Sequence, residues 1–193
     1  MKFNILILLV SLSLTTFAQQ PSNDEQIAAA VSAAPESQQG GAMVYGYDGN
    51  GDLIVHRKGT NELICLADNP QKKGFNVACY HKDLEPFMAR SRALRKEGMS
   101  NGDIFKIKEE EAKAGTLKLP KQATTLHILS GSDGKYNAAT GKVENANYRY
   151  VVYIPYATQK SSGLPLKPVV NGGPWLMDPG SHRAHIMIST PKN

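Results

Sequence analysis

Histidines are the residues that could carry chemistry in this chain. Pro179-Gly180-Ser181-His182-Arg183-Ala184-His185 sets two imidazoles three residues apart, with Asp178 just ahead of them. On a helix that spacing would put both rings on one face. Pro179-Gly180 reads instead as a turn entering a strand, where residues three apart point to opposite sides. A divalent metal site would need His182 folded back beside His185, with His81 or Asp178 as third ligand. Glu85 would then be available as the base of a metal-assisted hydrolase. The plainer alternative is one core histidine, one surface histidine and no cofactor.

The remaining motifs are weaker. Cys79 and His81 could pair as nucleophile and base, but Cys79 is expected to be oxidised. Asp48-Gly49-Asn50-Gly51-Asp52 alternates like the opening of an EF-hand loop. Its sixth place is Leu53 and its twelfth Gly59, so it reads as a hairpin turn. Gly131-Ser132-Asp133-Gly134-Lys135 lacks the following Ser or Thr of a phosphate-cradling loop and also reads as a turn. No Gly-x-Ser-x-Gly elbow or His-Glu-x-x-His pair occurs. Glu109-Glu110-Glu111 stands among lysines at helical spacing, which accounts for it without a catalytic carboxylate pair. Tyr148, Tyr150, Tyr153 and Tyr156 remain, with Trp175 the only tryptophan. Tyr148 and Tyr150 share one strand face, so they either pack in the core or form a platform for a glycan or peptide.

These residues must be positioned by strands and helices in mixed order. Ser22 and Glu25 form a capping-box pattern ahead of an alanine-rich helix that Pro35 stops. Ser37–Gly41 reads as a flexible connector. Residues 42–47 and 53–57 predict a hairpin, and 62–67 with 75–80 a second strand pair. Cys65 and Cys79 fall within that second pair at a spacing suited to a disulfide. Leu84, Phe87, Met88, Ser91 and Leu94 then switch to helical spacing, ending at Gly98. A second helix follows from Asn101 or Asp103 to Ala114, with Ile104, Ile107, Glu111 and Ala114 on one side. Residues 124–129, 148–156 and 184–188 predict further strands, with a long polar loop from Gly131 to Asn147. The fold class expected is α+β, a mostly antiparallel sheet with a helical hairpin inserted after the disulfide-linked strand pair.

At the N-terminus, Met1-Lys2, an apolar run from Ile5 to Leu14 and Thr16-Phe17-Ala18 read as a signal peptide over residues 1–18. Residues 19–41 would then be an N-terminal helix and connector, and 42–193 a single α+β domain. Export to the periplasm or outside the cell would oxidise the cysteine pair. The formal charge of +5, or +4 without Lys2, is spread along the chain and argues against nucleic acid as a partner. Beyond the leader no apolar run is long enough to span a bilayer.

Gly59-Thr60-Asn61 followed by Cys65, Asp68, Pro70 and Cys79 resembles a family of secreted bacterial proteins without an assigned activity. Pro174-Trp175-Leu176-Met177-Asp178-Pro179-Gly180 and Ala184-His185-Ile186-Met187-Ile188 extend the resemblance, as does Ser32-Ala33-Ala34-Pro35. It implies location, one domain, and interest in the segment from Trp175 to His185. The expected function is an exported, non-catalytic domain that binds a small molecule, glycan or envelope component. Its site would lie near Tyr148, Tyr150, Trp175, Asp178, His182 and His185. The alternatives are the metal-assisted hydrolase using His81, His182 and His185, and an envelope interaction protein with an exposed apolar patch.

Overall fold

The computed structural model of the protein describes residues 20–190, so the leader assigned to residues 1–18 lies outside the described residues. Helix α1 (Asn23–Val31) starts where its sequence predicts. The Ser22 hydroxyl accepts from the Glu25 amide, and Glu25 Oε2 accepts from the Ser22 amide at 2.8 Å. The expected connector at Ser37–Gly41 is largely a one-turn helix, α2 (Glu36–Gln39). Its final carbonyls find partners that sequence alone does not show. Arg57 donates to Gln39 O and, just beyond the helix, to Ala42 O, and Asn61 donates to Gln38 O at 2.7 Å.

Strands β1 (Met43–Tyr47) and β2 (Leu53–Arg57) form the predicted hairpin. Asp48 spends one carboxylate oxygen on the amides of Asn50 and Asp52 within the turn, and Gly51 supplies φ +82°. β3 (Leu63–Leu66) pairs parallel with β1 and antiparallel with β4 (Phe75–His81). Cys65 stands opposite Cys79 in that ladder and the disulfide is formed.

A 3-10 turn (Lys82–Leu84) leads into α3 (Glu85–Lys96), followed by α4 (Asn101–Lys113). These form the helical hairpin, joined by a bidentate pair from Arg90 to Glu111 at 2.6–3.0 Å. The apolar seam of α4 differs from the expected one: Ile104 and Lys108 are buried, and Ala114 is exposed. Lys108 follows Ile104 by one turn, so the seam continues through a charged side chain.

β5 (Thr124–Gly131) and β8 (Asn147–Tyr153) are the long central strands of the last third. The polar loop expected between them contains a small ladder, β6 (Lys135–Asn137) with β7 (Lys142–Glu144). Asn137 turns the chain by accepting from the amides of Ala139 and Thr140, and Glu144 meets Asn137 and Lys135 across the strands. A short helix α5 (Gln159–Ser162) precedes β9 (Trp175–Met177), a strand the sequence did not announce. β10 (His185–Ser189) follows.

The main sheet runs β2-β1-β3-β4-β5-β8-β10-β9, antiparallel apart from the β1–β3 pair. Register sorts its side chains onto two faces. One face carries Val44, Cys65, Val77, Cys79 and Leu129, packed under Ala29, Ala30 and Ala33 of the N-terminal segment. The other carries Ile64, Tyr80, Leu126, Val151 and Tyr153, packed under Leu84 and Phe87 at the start of the helical hairpin. Alanines allow α1 to sit low over the disulfide, with Cys79 Sγ 3.2 Å from Ala30 O.

The bridge closes a loop of 14 residues in sequence separation. Replacing both cysteines with serine should destabilise the fold by about 3 kcal/mol, read as a lower urea midpoint. An unchanged midpoint with unchanged slope would contradict a stapling role.

Candidate functional site

On the disulfide face, β8 presents Tyr148 and Tyr150 two residues apart. Their rings are stacked, 5.9 Å between centroids and 5° between planes. His127 on β5 stands opposite Tyr150 and meets it edge-on at 5.7 Å. Tyr148 is anchored by its hydroxyl, which donates to Ser32 O at 2.6 Å just beyond the end of α1. Because that helix stops at Val31, nothing equivalent covers Tyr150, which remains 38% exposed. A surface hollow of about 570 Å³ opens there, with His127, Tyr148 and Tyr150 on one side and Pro35, Glu36 and Gln39 on the other. Burial lowers the His127 pKa and favours its neutral ring, which can both donate and accept. Aromatic faces beside amide, carboxylate and imidazole groups can hold a ring that is apolar on its faces and polar at its edges.

The other residues expected at this site face the opposite way. His185 pairs with Tyr153 and with Met177, and Trp175 pairs with Met187, all on the face under the helical hairpin. His185 is buried against Tyr153 at 5.3 Å, and its Nδ1–H donates to Arg183 O at 2.7 Å. Asp178 occupies the turn before β10 with φ +51° and accepts from Arg183 Nε at 2.7 Å. The six residues Tyr148, Tyr150, Trp175, Asp178, His182 and His185 are therefore divided between two sides of the sheet.

His182 is 1% exposed, between Phe87 and Phe105. Its ring Nδ1 and its backbone amide both reach Glu109 Oε2, at 2.6 and 2.9 Å. Burial pushes the Glu109 carboxyl upward, but the two His182 bonds and Lys113 bring it down to about 2. An ionised Glu109 makes Nδ1 the protonated nitrogen of a neutral His182. Burial lowers the His182 pKa against the opposing pull of Glu109, so the neutral ring is the favoured form. Nε2 then has a lone pair, buried and without a hydrogen-bond partner.

His81 is elsewhere. It caps the 3-10 turn through the Asp83 amide and lies near Glu62 and Asp83. Glu85 is engaged by the Tyr80 hydroxyl at 2.6 Å and by Arg92 at 2.5 Å. Among the described residues, no group of three or more His, Cys, Asp or Glu side chains is placed to hold a metal ion. The triad of His81, His182 and His185 is thus three separate side chains with three separate sets of partners.

Sequence reasoning missed His127 and Lys108, and it set Glu109 aside as part of a lysine-paired run, whereas Glu109 holds His182. His127 joins the tyrosines only through the β5–β8 register. Lys108 was detectable in principle, one helical turn after Ile104 on the buried side. Compared with family models, curated proteins and solved structures, the chain matches none.

Lys108 is 2% exposed, with Nζ donating to Phe87 O at 2.9 Å and to Ser91 Oγ at 2.5 Å. Burial, then Arg95 and Arg183, lower its pKa to about 7 against the pull of Glu111. A folded value below the unfolded one means stability is present above the unfolded value and lost as pH falls through the folded one. The native protein should therefore lose stability between about pH 10 and pH 7, and Lys108→Met should remove that slope. Below about pH 7 the variant should gain about 1–2 kcal/mol in urea unfolding, as a buried charge is replaced by an apolar chain. A variant less stable than the native protein at low pH would contradict this.

Proposed function

We propose that this chain is an exported binding domain whose ligand is a glycan or another ring-bearing polar component of the cell envelope. The site is the Tyr148–Tyr150 stack with His127, rimmed by Glu36 and Gln39. One observation carries the reading: Tyr150 is left 38% exposed beside a stacked partner that is firmly anchored. A fixed aromatic pair loses little conformational freedom on binding. Export is supported by the leader-like residues 1–18 and by the Cys65–Cys79 bridge, since disulfides persist in oxidising compartments. No helix among the described residues is long and apolar enough to cross a membrane.

The test is retention of the mature protein on immobilised envelope glycans. Tyr150→Ala should weaken retention about tenfold or more, while costing only about 1–2 kcal/mol of stability and leaving the protein folded. Full retention by the variant, or no glycan retained by the native protein, rejects the site.

A second reading, an envelope interaction protein, is favoured by a different observation. Leu166, Val169 and Val170 protrude from the loop between α5 and β9, with Val169 80% exposed. Exposed apolar side chains gathered in one loop can serve as a contact surface where they form a contiguous patch. Val169→Ser with Val170→Ser should leave glycan retention unchanged under the first reading. Under the second it should abolish co-sedimentation with envelope fragments.

A further inference from the structure

A small cavity of about 140 Å³ lies between the helical hairpin and the turn that carries His182 and Arg183. At roughly 30 Å³ per water, it has room for four or five waters or one compact polar group. Its lining includes Arg95 from α3, Lys108 from α4, and His182 and Arg183 from the turn, with Tyr153 from the sheet.

The charges here are unbalanced. Among the described residues, the Arg95 guanidinium has no carboxylate partner, and Lys108 bonds only to the neutral Phe87 and Ser91 oxygens. Arg183 binds Asp178 through Nε and places its guanidinium 4.9 Å from the centre of the Phe105 ring. Glu109 reaches His182 through Nδ1, the ring edge away from Nε2. Lys108 is buried while the Arg95 and Arg183 side chains reach solvent, so the repulsion is felt most at the ammonium, and a counter-ion relieves it. The Ser91 hydroxyl donates to Phe87 O at 3.2 Å and accepts from Lys108. It is committed to stapling the two helices, which leaves charge, not nucleophilic attack, as the chemistry of the cavity.

We propose that this cavity binds a small oxyanion, a carboxylate or a tetrahedral group of the sulfate and phosphate kind, between Arg95, Lys108, Arg183 and His182. The guanidinium groups donate to its oxygens and the Lys108 ammonium supplies charge from the apolar side. Binding takes up a proton: His182 borders the cavity, and its buried, partnerless Nε2 becomes a donor only when protonated. The groups that set this linkage are Arg95, Arg183 and Glu111 around Lys108, and Glu109, Lys108 and Arg183 around His182. The site lies on the side of the sheet opposite the tyrosine stack and stands or falls independently of it.

The probes are sulfate and acetate, both fully ionised across the range used. Each is titrated to roughly 50 mM into isotope-labelled mature protein at constant ionic strength, so that general screening is held fixed. The readout is the His182 ring nitrogen signals and the Lys108 side-chain signals. We expect saturable shifts for at least one ion, with binding tightening from about pH 8 to about pH 6, the range of histidine titration. Preference for sulfate or acetate identifies the tetrahedral or the planar source. Arg95→Gln, at an exposed position, and Lys108→Met should each weaken binding about tenfold or more. No saturable shift for either ion, binding unchanged in either variant, or affinity that does not rise as pH falls overturns the proposal.

Discussion

Cys65 and Cys79 sit directly opposite one another on neighbouring strands, and the side of the sheet their bridge occupies fixes the side of every residue in register with them. Strand residues alternate between faces, so a continuous ladder from β3 to β10 passes this choice across the molecule. Cys79 is in register with His127, His127 with Tyr150, and Tyr150 with Ile188. The disulfide, the imidazole and the exposed tyrosine therefore share one face. Tyr80, Leu126, Val151 and Met187 follow the same register on the other.

The two faces are covered by different means. A short alanine-rich helix can approach β3 and β4 closely, but nine residues do not reach across β8. The helical hairpin covers the opposite face with Leu84, Phe87 and Leu94, all buried. That face also draws charged groups into its interior, because α4 continues its apolar row with Lys108 and because Glu109 tethers the His182 turn. The left-handed backbone of Asp178, with φ +51°, belongs to that turn. Residues held in such conformations depend on the contacts around them.

What was legible in the sequence was local. The Ser22–Glu25 box, the 48–52 turn, Pro86 in the first turn of α3 and the glycines ending α3 and α4 each involve residues a few positions apart. The cysteine pair and the helical hairpin followed from spacing in the same way. Tyr148 and Tyr150 on one face also followed, since two positions on one strand decide it. The grouping of those tyrosines with Trp175 and His185 depended on the β8–β10–β9 register instead. Nothing in the composition of those segments states that Tyr153 lies opposite His185, or Met187 opposite Trp175. His127 was overlooked for the same reason. The β6–β7 ladder escaped notice because its strands are three residues long and largely polar, and β1–β3 pairing because parallel neighbours need contacts distant in sequence.

The proposed division of the sheet into a ligand-facing side and a helix-covered side can be read most directly from magnetisation transfer between an added envelope oligosaccharide and the aromatic ring protons of the protein. The account predicts transfer to Tyr148, Tyr150 and His127 and none to Trp175 or His185. Transfer to Trp175 or His185, with the tyrosine pair silent, would contradict it.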